Sequence, residues 1–120
     1  MFSILNDAGI ASIFKNAITI LKERGHTKGA TFDPSTGKVD VRGAILLAAG
    51  AKPARIAGFV TTPEEANIAQ YWIPKVYAAF YMLDNLFEDM EAWNDNPATT
   101  QQMIEAGLQK AANLIEISIT

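Results

Sequence analysis

The sequence predicts a mainly helical α+β domain: about four helices around one core, with one short β-hairpin. Three observations carry this. Apolar residues recur at three- and four-residue steps in three long stretches. Helix start and stop residues bracket those stretches. Between the first two helical patterns the period changes to two, around a proline–glycine turn. At 120 residues, with 49% hydrophobic and 19% charged residues, the chain has the size and apolar content of a single domain, 1–120.

Residues 7–24 read as the first helix. Ile10, Phe14, Ala17 and Leu21 form its apolar stripe, Lys22 and Arg24 suit the negative end of the helix dipole, and Gly25 is a stop. Met1 to Leu5 read as an apolar arm or an extra turn. In "GATFDPSTGKVDVRG", Pro34 and Gly37 favour a turn, and Val39 and Val41 alternate with Asp40 and Arg42. The predicted hairpin has strands near 30–33 and 38–41, and must pack on helices, because a lone two-stranded ribbon is marginal in water. Residues 44–49, apolar nearly all round, predict a short buried helix stopped by Gly50 and Pro53.

The next helix has the clearest start: Thr62 as cap, Pro63 in the first turn and Glu65 closing a capping box. Ile68, Trp72, Val76, Phe80, Leu83 and Phe87 form a long stripe, interrupted by Pro74. Proline cannot donate to the carbonyl four residues back, which predicts a kink or a break near Trp72 and Ile73 and two segments, about 63–73 and 74–91. The aromatics here exceed what one core face needs, so Tyr71, Trp72, Tyr77 and Tyr81 are expected at an interface. The last helix follows "NDNPATT", with Thr99 and Gln102 as a capping box, or Thr100 or Asn96 as the cap. Ile104, Leu108, Ala111 or Ala112, Ile115 and Ile119 line its inner face, and "EISIT" alternates like a strand.

The chain has no cysteine, which removes disulfides, thiolate metal sites and cysteine nucleophiles. A net charge of −3 without a block of like charges argues against nucleic acid as partner. No stretch reaches the roughly 18 apolar residues of a membrane span, and no basic leader opens the chain, so a cytoplasmic protein is expected. His26, the single histidine, lacks companions for a zinc site. Asp33 and Asp40 could hold a hard cation, but Asp33 before Pro34 is first a turn former. Glu88, Asp89, Glu91 and Asp95 form an acidic patch that reads as a solvated helix end. No cofactor and no metal is expected.

Trp93, Asn94 and Asp95 admit two readings. Trp93 can close the aromatic stripe while the two polar residues satisfy backbone groups between helices. Alternatively, Trp93 is a wall and Asn94 and Asp95 are polar contacts of a ligand or partner site that includes His26, Lys28 and Arg42.

Two segments, "LKERGHTKGATFDPSTGKVDVRGAILLAAGA" and "EAWNDNPATTQQMIEAGLQKAA", resemble a family of small bacterial and phage domains of unknown function. The likeness lies in the Gly-Ala hairpin segment and the Trp-Asn-Asp triplet. It implies a mainly helical domain with a small hairpin, and no reaction. The chain departs from that pattern at His26, where the family often has tryptophan, and at Arg42, where it often has cysteine. It also lacks an acid near Met103. The expected function is a small non-enzymatic binding protein, homo-oligomeric through its aromatic helix, with itself or a host protein as partner. The alternative is a phage-type binder of a nucleotide-like ligand or an inhibitor of a host system. A metal-dependent or acid–base enzyme ranks last.

Overall fold

The structure is a computed structural model that describes residues 8–51 and 63–119, and the side chains of 9–51 and 74–117. Asp40 decides where its second helix begins. Its backbone is extended, its carboxylate accepts from the Gly43 amide at 2.8 Å, and α2 runs from Val41 to Ala49 directly behind it. Residues 40 and 41, whose alternation suggested a strand, are therefore the cap and first turn of a helix. This overturns the predicted β-hairpin. Among the described residues there is no strand or sheet, only isolated bridges from Val39 to His26 (parallel) and to Phe32 (antiparallel). The turn itself is present: Asp33 accepts from the Gly37 amide at 2.8 Å, and Gly37 has φ +79°. The pairing stops at one bridge because Val39 also serves the other side. Its amide donates to Gly25 and its carbonyl accepts from Thr27.

The first helix, α1, spans Ala8–Arg24 and ends at Gly25, whose φ of +89° lets its amide return to the Leu21 carbonyl at 2.8 Å. α2 ends in the same way at left-handed Gly50. The third helix, α3, is a single element from Pro63 to Phe87 that runs through Pro74. No break divides the helix at Pro74: a proline removes one backbone hydrogen bond, and the helix continues past it. The chain breaks instead at Glu88, the one described non-glycine residue with positive φ, +65°. Asp89 then caps α4, Met90–Asp95, by accepting from the Ala92 amide at 3.0 Å.

α5 spans Gln101–Ile119. Of the three cap candidates Thr100 holds the position, its hydroxyl accepting from the Met103 amide at 3.2 Å. The alternating tail continues as helix to Ile119. The proposed cap Thr62 and the side chains of Ile68, Tyr71 and Trp72 lie outside the described residues.

α1 packs chiefly against α5 and α2. The α1–α5 pair is antiparallel, since Lys15 meets Glu116 near one end and Lys22 approaches Glu105 to 3.8 Å near the other. Phe14, Ile10, Leu21, Ile45, Leu83, Ile104, Leu108 and Ile115 are fully buried and belong to one cluster, to which every helix contributes. Among the described residues no helix is long and apolar enough to cross a membrane.

Candidate functional site

Asn94 is wholly buried, the largest such polar residue alongside Asp40. A primary amide in an apolar interior is costly unless both of its ends are paired. Here both are. Its Oδ1 accepts from the Val41 amide at 2.9 Å and lies 2.7 Å from His26 Nε2, while its Nδ2 donates to Asp95 Oδ1 at 2.9 Å and to the Thr27 carbonyl at 3.3 Å. A backbone amide can only donate and a carbonyl can only accept, so these partners settle which end of the Asn94 amide is oxygen. It follows that His26 Nε2 carries a proton and donates to Asn94, which leaves the lone pair of a neutral ring on Nδ1. One side chain on α4 thus ties down the first amide of α2 and the segment that follows α1.

Neighbouring contacts extend the same joint. The Gly29 amide donates to Asp95 Oδ1 at 3.0 Å, and Lys28 Nζ donates to the Asn96 carbonyl. Gln101, at the start of α5, accepts from the His26 amide at 3.2 Å and donates to the Leu21 carbonyl at 2.9 Å. The Gly29 amide, then the Asn94 amide, hold the Asp95 carboxyl below its ordinary value. Asp40 moves the other way: burial pushes its carboxyl up, against the Gly43 amide and the Arg42 guanidinium, which contacts Asp40 Oδ2 at 3.3 Å. Arg42 also reaches Glu91 at 3.5 Å.

Trp93 faces elsewhere. Its ring stacks on Phe87, centroids 3.9 Å apart and planes within 3°. The pair lies across α5 at Gly107, where an added Cβ would sit 2.7 Å from Trp93 and 2.8 Å from Phe87. So of the predicted site residues, His26, Lys28, Asn94 and Asp95 meet in one joint. Arg42 stands at its edge, on Asp40 and Glu91. Trp93 is spent on the core rather than on a wall shared with them.

Sequence reading gave Asp40 a place in a strand and a possible cation rather than a helix cap, and it missed Gln101 and Gly107. Asp40 carried a legible signal, an aspartate three residues before the Gly43 amide it caps. Gln101 and Gly107 carried none, because their roles depend on which helices cross them. On α3, Tyr77 and Tyr81 are 68% and 60% exposed. Among the described residues no group of three or more His, Asp or Glu side chains is placed to hold a metal ion. The turn carboxylate of Asp33 accepts instead from the amide and hydroxyl of Ser35, at 3.0 and 2.7 Å.

Comparison with curated proteins and with solved structures finds no match. A family of unknown function (DUF6197) matches the chain over residues 6–114, and the chain belongs to that family.

Proposed function

We propose that the protein is a non-enzymatic binding domain that acts through protein contact, self-associating by the outer face of α3. The observation that supports this reading is the exposure of Tyr77 and Tyr81, 68% and 60%, one helical turn apart. Phenol rings in that position leave apolar surface in water, and Tyr is among the residues enriched where proteins meet. The saturated joint around Asn94 gives such a face a fixed frame. The test is the mass in solution across a concentration series, by light scattering or sedimentation. Growth in mass that is lost in Tyr77→Ser/Tyr81→Ser is the expected result. A monomer at every concentration overturns the reading.

A second reading, a small nucleotide-like ligand held beside the joint, is supported by the convergence of His26, Lys28 and Asp95 around Asn94. It expects nucleotides to raise the melting temperature, and a similar rise to be absent in Lys28→Gln. A flat thermal-shift screen removes it.

A further inference from the structure

The face of α3 carries more than two tyrosines. Tyr77, Tyr81 and Asp84 follow one another at steps of four and three, Glu88 stands in the turn just past the helix end, and all four are exposed. Lys75, two residues before Tyr77, falls almost on the opposite side of the helix. The charge of the chain is segregated around this face. From residue 76 to residue 109 there is no Lys or Arg, against six acids: Asp84, Glu88, Asp89, Glu91, Asp95 and Glu105. Inside the protein, Glu91 is approached by Arg42, Asp95 by Gly29 and Asn94, and Glu105 by Lys22 and Gln101. Asp84 gives one oxygen to the Met90 amide, and Glu88 stands on the exposed turn between α3 and α4. The aromatic face therefore continues into carboxylates with no cation among the described residues of its own stripe.

Such a face is poorly suited to meet an identical face across a two-fold axis, because the acids of both copies would enter one interface with nothing to neutralise them. It is well suited to a cationic surface. Arg and Lys settle on phenol rings by cation–π attraction and pair with carboxylates beside them. The chain carries such a surface at the C-terminal end of α1. Arg24 lies 5.9 Å over the Phe32 ring and donates to the Gly37 carbonyl at 3.3 Å. The Lys38 side chain runs across Gly25, with its Cγ 3.4 Å from the place of a Cβ there. Both cations are exposed, and Lys28 stands exposed on the same loop. Of the acids nearby, Asp33 is occupied by Ser35 and Asp95 by the Gly29 and Asn94 amides, and Glu23 remains.

Resting on the self-association proposed above, we infer that the contact is head to tail: Tyr77, Tyr81, Asp84 and Glu88 of one copy receive Arg24 and Lys38 of the next. A heterologous contact leaves one surface of each kind open at the two ends of a pair. Association then continues past the dimer, to a ring or a chain.

Sedimentation across a concentration series tests this with three proteins: the wild type, Tyr77→Ser/Tyr81→Ser, and Arg24→Gln/Lys38→Gln. Lys38→Gln alone serves as a milder second loop variant, and thermal melting verifies folding. The expected wild-type mass passes that of a dimer and falls as salt screens the contact. Each double variant alone is a monomer, because each lacks one of the two surfaces. Their equimolar mixture gives a dimer and no more, because one intact surface of each kind remains. If the wild type stops at a dimer that Arg24→Gln/Lys38→Gln and Lys38→Gln leave intact, the head-to-tail inference is overturned while self-association stands. If the wild type is a monomer throughout, both fall.

Discussion

At the joint between α4 and the segment after α1, a polar side chain is driven inward. Along α3, aromatic side chains are left outside. Asn94 is buried and spends both ends of its amide on His26, Thr27, Val41 and Asp95, whereas Tyr77 and Tyr81 keep most of their surface in water. A buried amide earns its place by holding other groups, and each partner it holds is exposed to a desolvation penalty if it is removed. An exposed ring holds nothing in its own fold. The difference separates two meanings of a conspicuous residue. The joint specifies how the chain is put together, and the α3 face offers what the assembled chain can present to others.

The strongest way to break this contrast is Asn94→Ala. The substitution strands the buried Val41 amide and takes a partner from the half-buried Thr27 carbonyl and His26 Nε2. At about 1–3 kcal/mol for the unsatisfied buried amide, with smaller terms for the two groups that water can reach, a loss of about 2–4 kcal/mol is expected, or failure to fold. Chemical denaturation measures it. A loss under about 1 kcal/mol would show that water replaces the amide freely and that the joint is not a structural device.

Gly107→Ala comes next. Alanine is the better helix former by up to about 1 kcal/mol, so on an open helix face the change would stabilise. Here the new methyl would meet the stacked Trp93 and Phe87 rings at 2.7–2.8 Å. Aromatic rings pinned against each other cannot yield without unstacking, and overpacking of this kind costs about 1–3 kcal/mol. A net loss of about 1–2 kcal/mol is expected from thermal melting, with a change in tryptophan fluorescence as the stack shifts. An unchanged or raised melting temperature would mean that Trp93 is not committed to the core and is available to a ligand after all.

How much of this was legible in the sequence follows from the range of each interaction. α1, the glycine stops at Gly25 and Gly50, the start of α3 at Pro63 and the buried stripe of α5 are marked by local periodicity or by end residues within a turn, and all were readable. The hairpin was misread because Val39, Asp40 and Val41 alternate like a strand, while Asp40 is recruited as a helix cap and Val39 is shared between two neighbouring segments. The break expected at Pro74 is absent because the hydrogen bond a proline removes is visible in a sequence, whereas whether the helix ends there or carries on is not. Trp93, Asn94 and Asp95 stood out by composition, but Val41, Thr27 and Gly29 act through backbone atoms, which leave no side-chain signature.

Acid titration probes the joint more gently, and it separates two carboxylates that respond in opposite directions. The Gly29 and Asn94 amides lower the Asp95 carboxyl, so its ionised form adds stability above its ordinary value of 3.8. That contribution is lost as pH falls through the lower folded value. Burial raises Asp40, so its stabilising effect is present at low pH and is lost as pH rises from 3.8 through the raised folded value. Against the wild type, Asp95→Asn should be less stable near neutrality, with the difference shrinking below about pH 4. For Asp40→Asn the pH-dependent part of the difference should run the other way, most favourable to the variant near neutrality. Stability measured from pH 3 to pH 7 checks both. Parallel curves for Asp95→Asn and the wild type would remove Asp95 from the joint.

The smallest expected effect on stability belongs to the outer face, and its smallness is what sharpens the contrast. Tyr77→Ser/Tyr81→Ser deletes two rings that are more than half exposed, and surface substitutions away from caps and cores stay within about 0.5 kcal/mol. Measured by denaturation at a concentration where the wild type is dissociated, the variant should therefore unfold within about 1 kcal/mol of it, about 0.5 kcal/mol for each exposed ring. At higher concentration the two should diverge, because binding that involves only the folded state adds stability by mass action and the variant has lost that binding. A concentration-dependent gap between the two proteins is thus a signature of rings that serve contact with another molecule. A gap that is large and independent of concentration would place Tyr77 and Tyr81 in the folding of their own chain, and the two regions would no longer differ in kind.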